Sequence, residues 1–152
     1  MKKVLLLFLV FTALSCKKTT VVREVQSDFS DKQWQATDVR KFEFKIKKDI
    51  ELADISLMLS HVHEPQYATV PVSVTMEGPG GVKENFYMNL QLKDEEGNDL
   101  SECAGDVCDL YTNIKQGVKL AKGDYKISVE NKFAYAYLAN VLALGVVVER
   151  ED

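Results

Sequence analysis

The chain has 152 residues, which is the length of one domain, and it is 46% hydrophobic and 28% charged. This balance excludes a disordered chain and a protein that crosses the membrane many times. The formal net charge of −4 argues against nucleic-acid binding, because that function needs a basic surface to neutralise phosphates. Three cysteines is an odd number, and an unpaired cysteine in an exported protein requires an explanation.

The first 15 residues have the pattern of a bacterial export signal. Lys2 and Lys3 precede an uncharged, nearly all-apolar run over residues 4–14, which is too short to span a membrane. Cys16 follows the tripeptide Ala-Leu-Ser, a junction that resembles a bacterial lipobox. We therefore predict that residues 1–15 are a lipoprotein signal peptide and that Cys16 becomes the acylated N-terminus. The alternative is an ordinary secretory signal followed by a coincidental cysteine.

The residues after the predicted cleavage site indicate where the protein resides. Acyl chains on Cys16 hold a protein in a membrane, since each buried methylene contributes ~0.8 kcal/mol. Lys17 and Lys18 come next, without an aspartate of the kind that resembles inner-membrane retention, so we expect the periplasmic face of the outer membrane. Residues 16–20 form a predicted acylated terminus and polar tether, and residues 21–152 form the folded domain. Loss of the two signal-peptide lysines changes the net charge from −4 to −6.

Alternation of apolar and polar residues predicts β-strands along almost the whole domain. In residues 41–47, Phe42, Phe44 and Ile46 alternate with charged residues, as in a strand with one solvated face. No segment has the pattern of a long amphipathic helix. The predicted fold is all-β, an antiparallel β-sandwich of about seven or eight strands in a single domain, with an open barrel as the alternative. The other predicted strands cover residues 21–29, 53–62, 69–77, 83–94, 124–132 and 141–150.

His61 and His63 are the weak candidates for a metal site. In a continuing strand both side chains lie on one face, which is the arrangement of an H-x-H metal pair. The chain has no third histidine, and Glu64 points to the other face. We expect no metal and no cofactor. The alternatives are a divalent ion held by the two histidines and an acidic residue, or a zinc site that adds Cys103 and Cys108.

Cys103 and Cys108 form an even pair once Cys16 is assigned to lipid attachment. The four residues between them can close back on themselves, so we predict a disulfide in an oxidising compartment. Closure of such a small loop contributes only ~2 to 3 kcal/mol. The spacing differs from the C-x-x-C motif of redox enzymes. No G-x-S-x-G elbow or phosphate loop is present, and we therefore expect no enzymatic activity.

The mature sequence resembles the gliding-motility lipoprotein H (GldH) family over nearly its whole length. The similar features are Cys16 after a lipobox, Trp34 followed by Asp38 and a Phe-Glu-Phe strand, and the hairpin at 89–98. Three further segments are also similar to family motifs: Gly105-Asp106 with 110–113, Gly123-Asp124-Tyr125 before a strand, and the closing strand at 145–152.

The resemblance implies an outer-membrane lipoprotein that supports gliding or the associated envelope and secretion machinery. It supplies no catalytic residues. Protein partners in the envelope are expected to contact edge strands or loops, with the aromatic segment 133–137 as one candidate, although burial of this segment in the core is the favoured interpretation. The main alternative function is a lipid-anchored sandwich that binds a glycan or another envelope ligand, for which Trp34 and nearby aromatic residues are the candidate platform. A metal-dependent enzyme is the third.

Overall fold

The structure is a computed structural model, and it describes residues 17–151. Within this range the chain forms eleven strands and two short 3-10 turns, at Ser30–Lys32 and Pro79–Gly81. The strands are β1 (Lys18–Gln26), β2 (Gln33–Gln35), β3 (Arg40–Ile46), β4 (Ile50–Val62), β5 (Thr69–Glu77), β6 (Lys83–Gln91), β7 (Glu102–Ala104), β8 (Val107–Leu120), β9 (Gly123–Asn131), β10 (Tyr137–Ala139) and β11 (Val141–Glu151). No helix among the described residues is long and apolar enough to cross a membrane.

The strands form two main antiparallel sheets that pack face to face. One sheet has five strands in the order β1-β11-β4-β8-β7, and the other has four in the order β3-β9-β5-β6. The short strands β10 and β2 form a third, two-stranded sheet. The predicted class, an all-β antiparallel sandwich in one domain, is confirmed, although the strand count exceeds the predicted seven or eight.

The core lies between the two main sheets and follows the two-residue period of their strands. In β3, Phe42, Phe44 and Ile46 are buried while the charged residues between them are exposed. One continuous cluster joins these side chains to those of the opposite sheet. Buried partners from the other central strands are Ile55, Leu57 and Leu59 of β4, Ile127 and Val129 of β9, and Leu144, Val146 and Val148 of β11.

The longest strand, β8, is absent from the sequence-based prediction. It covers 14 residues and pairs with β4 through much of its length. Its inward positions alternate only from Cys108 to Ile114, and polar Thr112 interrupts the apolar series there. After Ile114 the pairing with β4 shifts register, and Gln116 is exposed. The alternation of apolar and polar residues in β8 is therefore too weak to predict this strand from the sequence. The three-residue strands β2, β7 and β10 are too short to show any period.

The two ends of the sandwich differ in the length of their connections. Since every pairing is antiparallel, each strand can be followed from one end to the other. The end where β4 begins, here called the amino-terminal end, has the start of β1, the end of β11 and the short connections 47–49, 78–82 and 121–122. The opposite end, here called the loop end, has the longer connections 27–39, 63–68, 92–106 and 132–140.

The first strand begins closer to the N-terminus than predicted. β1 starts at Lys18, and residues 18–20 already pair with the end of β11, so the tether predicted for residues 16–20 is shorter than expected. The Lys18 ammonium lies 2.5 Å from the carboxylate of Asp54, which is buried and also accepts the N–H of Gly117 at 2.8 Å. These two hydrogen bonds hold the pKa of Asp54 below its ordinary value. The start of β1 is thus fixed to the sheet.

Candidate functional site

Three aromatic rings meet at the surface of the loop end. Tyr67, from the β4–β5 connection, packs edge-on against Phe133 with ring centroids 4.6 Å apart. Phe133 contacts Tyr135 at 5.3 Å, and Tyr67 lies 6.4 Å from Tyr135. We call Tyr67, Phe133 and Tyr135 the aromatic cluster. Its inner rings, Tyr67 and Phe133, are partly buried against the core, whereas Tyr135 is 65% exposed.

The segment that carries the cluster is held at both ends. The Lys132 N–H donates to the Pro71 carbonyl at 3.0 Å, and the Ala136 carbonyl accepts the N–H of Ala36 at 2.8 Å. Between them, the Phe133 N–H donates to the side-chain oxygen of buried Asn131 at 2.9 Å. An aromatic surface on a backbone fixed in this way loses little conformational entropy when it binds a partner.

Burial of residues 133–137, the favoured interpretation from the sequence, is wrong. Only Phe133 is partly buried, and Tyr135 and Tyr137 are 65% and 41% exposed. The segment connects β9 to β10 at the loop end and does not enter the space between the two main sheets. The sequence does not predict Tyr67 as part of this surface, because no local pattern brings residue 67 next to residue 133. The available signal is the presence of aromatic residues in two of the longer connections, 63–68 and 132–140.

Trp34 is not part of an exposed platform, contrary to the prediction for glycan binding. Its side chain is fully buried, and its indole Nε1–H donates to the Asp38 carbonyl at 2.9 Å. The Asn131 side chain donates to the Trp34 carbonyl at 2.9 Å. The ring of Phe29 meets that of Trp34 edge-on at 6.4 Å. Trp34 therefore anchors the β1–β3 connection beneath the loop end and has a structural role.

An ion-pair group of Arg40 with two aspartates also stabilises the β1–β3 connection. The guanidinium of Arg40 lies 2.6 Å from both the Asp28 and the Asp38 carboxylates, and 4.0 Å above the ring of Phe29. The hydrogen bond from Arg40 lowers the pKa of Asp28. Because Arg40 is buried and paired with both carboxylates, we interpret this group as structural.

The predicted disulfide is present in the structure. Cys103 and Cys108 are bonded and lie directly opposite each other in the β7–β8 hairpin, with Cα atoms 4.0 Å apart. The hairpin turns at Gly105-Asp106, where Gly105 has a φ of +64°, as tight hairpins of this length require. The disulfide therefore closes a hairpin at the loop end.

The two histidines do not form a pair. β4 ends at Val62, so His61 is buried while His63 is exposed beyond the strand. The His61 Nε2 atom hydrogen-bonds to the Ser101 hydroxyl at 2.7 Å, and its Nδ1 atom lies 2.8 Å from the Val62 carbonyl. Both ring nitrogens of His61 are thus used within the protein. In the described range 17–151, no group of three His, Cys, Asp or Glu side chains is placed to hold a metal ion.

Cys16 and the signal peptide at residues 1–15 lie outside the described residues, so acylation of this cysteine stays a prediction. Lys17 and β1 place the continuation of the chain towards Cys16 at the amino-terminal end. The aromatic cluster is at the other end of strands that are 11 to 14 residues long. With ~3.3 Å per residue, the cluster lies roughly 40 Å from the point where the chain enters the domain.

These features define a class of protein: an antiparallel two-sheet sandwich whose first strand begins at one end and which has a cluster of aromatic side chains at the other. A family model described as GldH lipoprotein matches residues 21–148, so the resemblance inferred from the sequence is confirmed. The chain belongs to the GldH lipoprotein family. It is therefore a lipoprotein of a gliding-motility-associated family, attached to a membrane of the cell envelope by a lipid anchor.

Three solved structures contain regions similar to the chain. Dimeric latent PorU from Porphyromonas gingivalis is 13% identical with a TM-score of 0.43, over 91% of this chain and 14% of that one. The complex of the Aeromonas sobria serine protease with its chaperone ORF2 is 10% identical with a TM-score of 0.40, over 90% and 27%. The VP2 subviral particle of infectious bursal disease virus is 10% identical with a TM-score of 0.29, over 88% and 34%.

The chain thus spans between a seventh and about a third of the length of these proteins. No curated protein matches the sequence.

Proposed function

We propose that the protein is an outer-membrane lipoprotein, acylated on Cys16 and exposed to the periplasm, that supports gliding motility or the associated envelope and secretion machinery without catalysing a reaction. In this role it holds a protein partner against the aromatic cluster and Tyr137. Confinement to a membrane surface raises the effective concentration of the cluster near other envelope proteins.

The observation that carries this proposal is the exposure of tyrosines at the loop end, opposite the end at which β1 begins. Tyr135 and Tyr137 are rigid, amphipathic side chains, and such residues supply a large part of the binding energy at protein interfaces. The fixed backbone of residues 132–136 keeps them in place. Membership of the GldH family supports the connection to gliding motility.

Recognition of a glycan is the second candidate, and the same surface favours it. The rings of Tyr67 and Tyr135 are tilted by 31° to each other and offer apolar faces with hydroxyl groups at their rims. Sugars bind to such surfaces through stacking on the ring faces and hydrogen bonds at the rim. With Trp34 buried, we assign this candidate function to the aromatic cluster, the only group of three aromatic rings in contact among the described residues 17–151.

Affinity purification from crosslinked envelopes tests the proposal. The double variant Tyr135→Ser, Tyr137→Ser removes two exposed rings while keeping the backbone pairing of β10, so the fold is expected to remain intact. We expect recovery of the envelope protein partner to fall by tenfold or more, since an interface anchor contributes about 2 kcal/mol. Tyr87→Ser is the control, because Tyr87 is 83% exposed and lies within β6, outside the aromatic cluster, and it should leave recovery unchanged.

The two candidate functions give different results in this experiment. Recovery of gliding or secretion proteins from the wild type, lost in the double variant, supports the protein-partner function. Enrichment of glycans alone, lost in the same variant, replaces it with the glycan-binding function. Equal recovery of the same proteins from the wild type and the double variant contradicts a role for the aromatic surface.

A further inference from the structure

The amino-terminal end has an open groove of about 680 Å³ beside the start of the chain. It is lined by residues 45–52, which contain the β3–β4 connection, and by Val21, Arg150 and Glu151. Apolar side chains line part of this groove, and two of them, Val21 and Leu52, are 39% and 47% exposed. The groove thus combines solvent-exposed apolar surface with a charged rim.

Lysines without carboxylate partners lie in this groove and at the same end of the sandwich. Among the described residues, Lys47 and Lys48 in the groove, and Lys17 and Lys122 at the same end, form no ion pair, and all four are exposed. The nearby lysines that do have partners are Lys18 with Asp54, Lys45 with Asp124, and Lys119 with Glu51. This end therefore offers several unpaired cations in a protein whose formal net charge is negative.

The acidic residues of the groove neutralise only part of this charge. Glu51 is paired with Lys119 at 2.6 Å. The Asp49 carboxylate accepts the backbone N–H of Lys122 at 2.7 Å and keeps its negative charge, which offsets one of the lysines. Glu151 lies at the end of β11, opposite Lys18. Lys47 and Lys48 remain directed to solvent on the connection that forms one wall of the groove.

The length of the chain before β1 limits how far this end can lie from an anchor on Cys16. Only Lys17 separates Cys16 from the first residue of β1, so the Cα atoms of residues 16 and 18 are at most about 7 Å apart. The hydrogen bond from Lys18 to Asp54 holds the first residue of β1 on the sheet. The tether therefore does not become longer by release of this residue. An acyl anchor on Cys16 would therefore hold the groove at the level of the lipid headgroups.

We propose that this groove binds the phosphate groups of anionic lipids in the membrane that carries the anchor. The inference rests on acylation of Cys16, which is part of the proposed function, but it assigns a second and separate membrane contact. Lys47, Lys48, Lys122 and Lys17 supply the charge, and Val21 and Leu52 contact the apolar part of the interface. Such a contact orients the amino-terminal end of the sandwich towards the membrane and the loop end away from it.

Lysine footprinting on the acylated full-length protein tests this proposal. The protein is reconstituted into vesicles of phosphatidylethanolamine alone or with added phosphatidylglycerol, and the reaction of each lysine with an amine reagent is measured by mass spectrometry. We expect phosphatidylglycerol to lower labelling of Lys47, Lys48 and Lys122 by about fivefold, which corresponds to the ~1 kcal/mol that a lysine gains near an anionic surface. Lys32, exposed at the loop end, is the internal control and should not change. High salt should restore the labelling.

A charge-reversal variant separates specific binding from proximity to the membrane. With Lys47→Glu and Lys48→Glu, the protection of Lys122 by phosphatidylglycerol should be lost, whereas Lys32→Glu should leave it intact. Equal labelling in the two vesicle types, or protection of Lys32 equal to that of Lys122, overturns the proposal. Neither footprinting result changes the expected recovery of the partner through Tyr135 and Tyr137. Failure of the lipid-binding proposal is therefore distinguishable from failure of the proposed function.

Discussion

Replacement of Trp34 by alanine is expected to lower the free energy of unfolding by about 3–5 kcal/mol. The indole is fully buried and donates to the Asp38 carbonyl, and the Trp34 carbonyl accepts from Asn131, which also holds the Phe133 N–H. A cavity at this position weakens the β1–β3 connection and the support of the aromatic segment together. Urea denaturation of the purified protein measures the change.

Two further variants make the Trp34 measurement specific. Trp34→Phe keeps most of the ring but leaves the Asp38 carbonyl without its donor, and it should lose about 1–3 kcal/mol. Tyr87→Ala removes a ring that is 83% exposed and should change stability by no more than about 0.5 kcal/mol. A loss below about 1 kcal/mol for Trp34→Ala would show that the indole is not a packed part of the core.

Replacement of Gly123 by alanine should destabilise the protein by about 2–4 kcal/mol, for two separate reasons. Gly123 begins β9 with a φ of +145°, a backbone conformation that residues with a Cβ atom rarely adopt. A Cβ at this position would lie 2.5 Å from the Cγ atom and 2.9 Å from the Cβ atom of Pro79. The β5–β6 and β8–β9 connections therefore meet at a point where only glycine fits.

A second glycine, with positive φ but open space around it, helps to distinguish the cost of the backbone conformation from the cost of the contact with Pro79. Gly97 has a φ of +86°, but a Cβ added there would meet no atom within 4 Å. The Gly97→Ala variant should therefore show only the conformational cost of about 1–2 kcal/mol. Pro79→Ala removes the closest atom and should recover part of the loss in the Gly123→Ala background, which a double-mutant cycle measures. Equal losses at the two glycines, with no coupling to Pro79, would contradict the close approach.

The central strands could be predicted from the sequence because they are buried on one face and solvated on the other. The Phe42-Glu43-Phe44 segment shows this period directly, and it forms β3 as expected. β8 could not be found in the same way, since polar Thr112 interrupts its apolar series and the alternation ends at Ile114. Its location follows from pairing with β4, a contact between residues about fifty positions apart that no local pattern specifies.

The candidate site was predictable only in part. The disulfide of Cys103 and Cys108 follows from the count and spacing of the cysteines, and the structure contains it. Residues 133–137 stand out in the sequence, but their aromatic composition fits a core segment as well as a surface. Their exposure depends on the β9–β10 connection lying at the loop end, where Tyr67 supports it from another connection.

Site-specific photocrosslinking in living cells tests the central claim most directly, namely that one end of the sandwich faces the membrane and the other faces the partner. A photoreactive amino acid replaces either Tyr135 at the loop end or Lys48 at the amino-terminal end. We expect protein adducts after irradiation from position 135 and lipid adducts from position 48. Lipid adducts from position 135 together with protein adducts from position 48 would contradict the account.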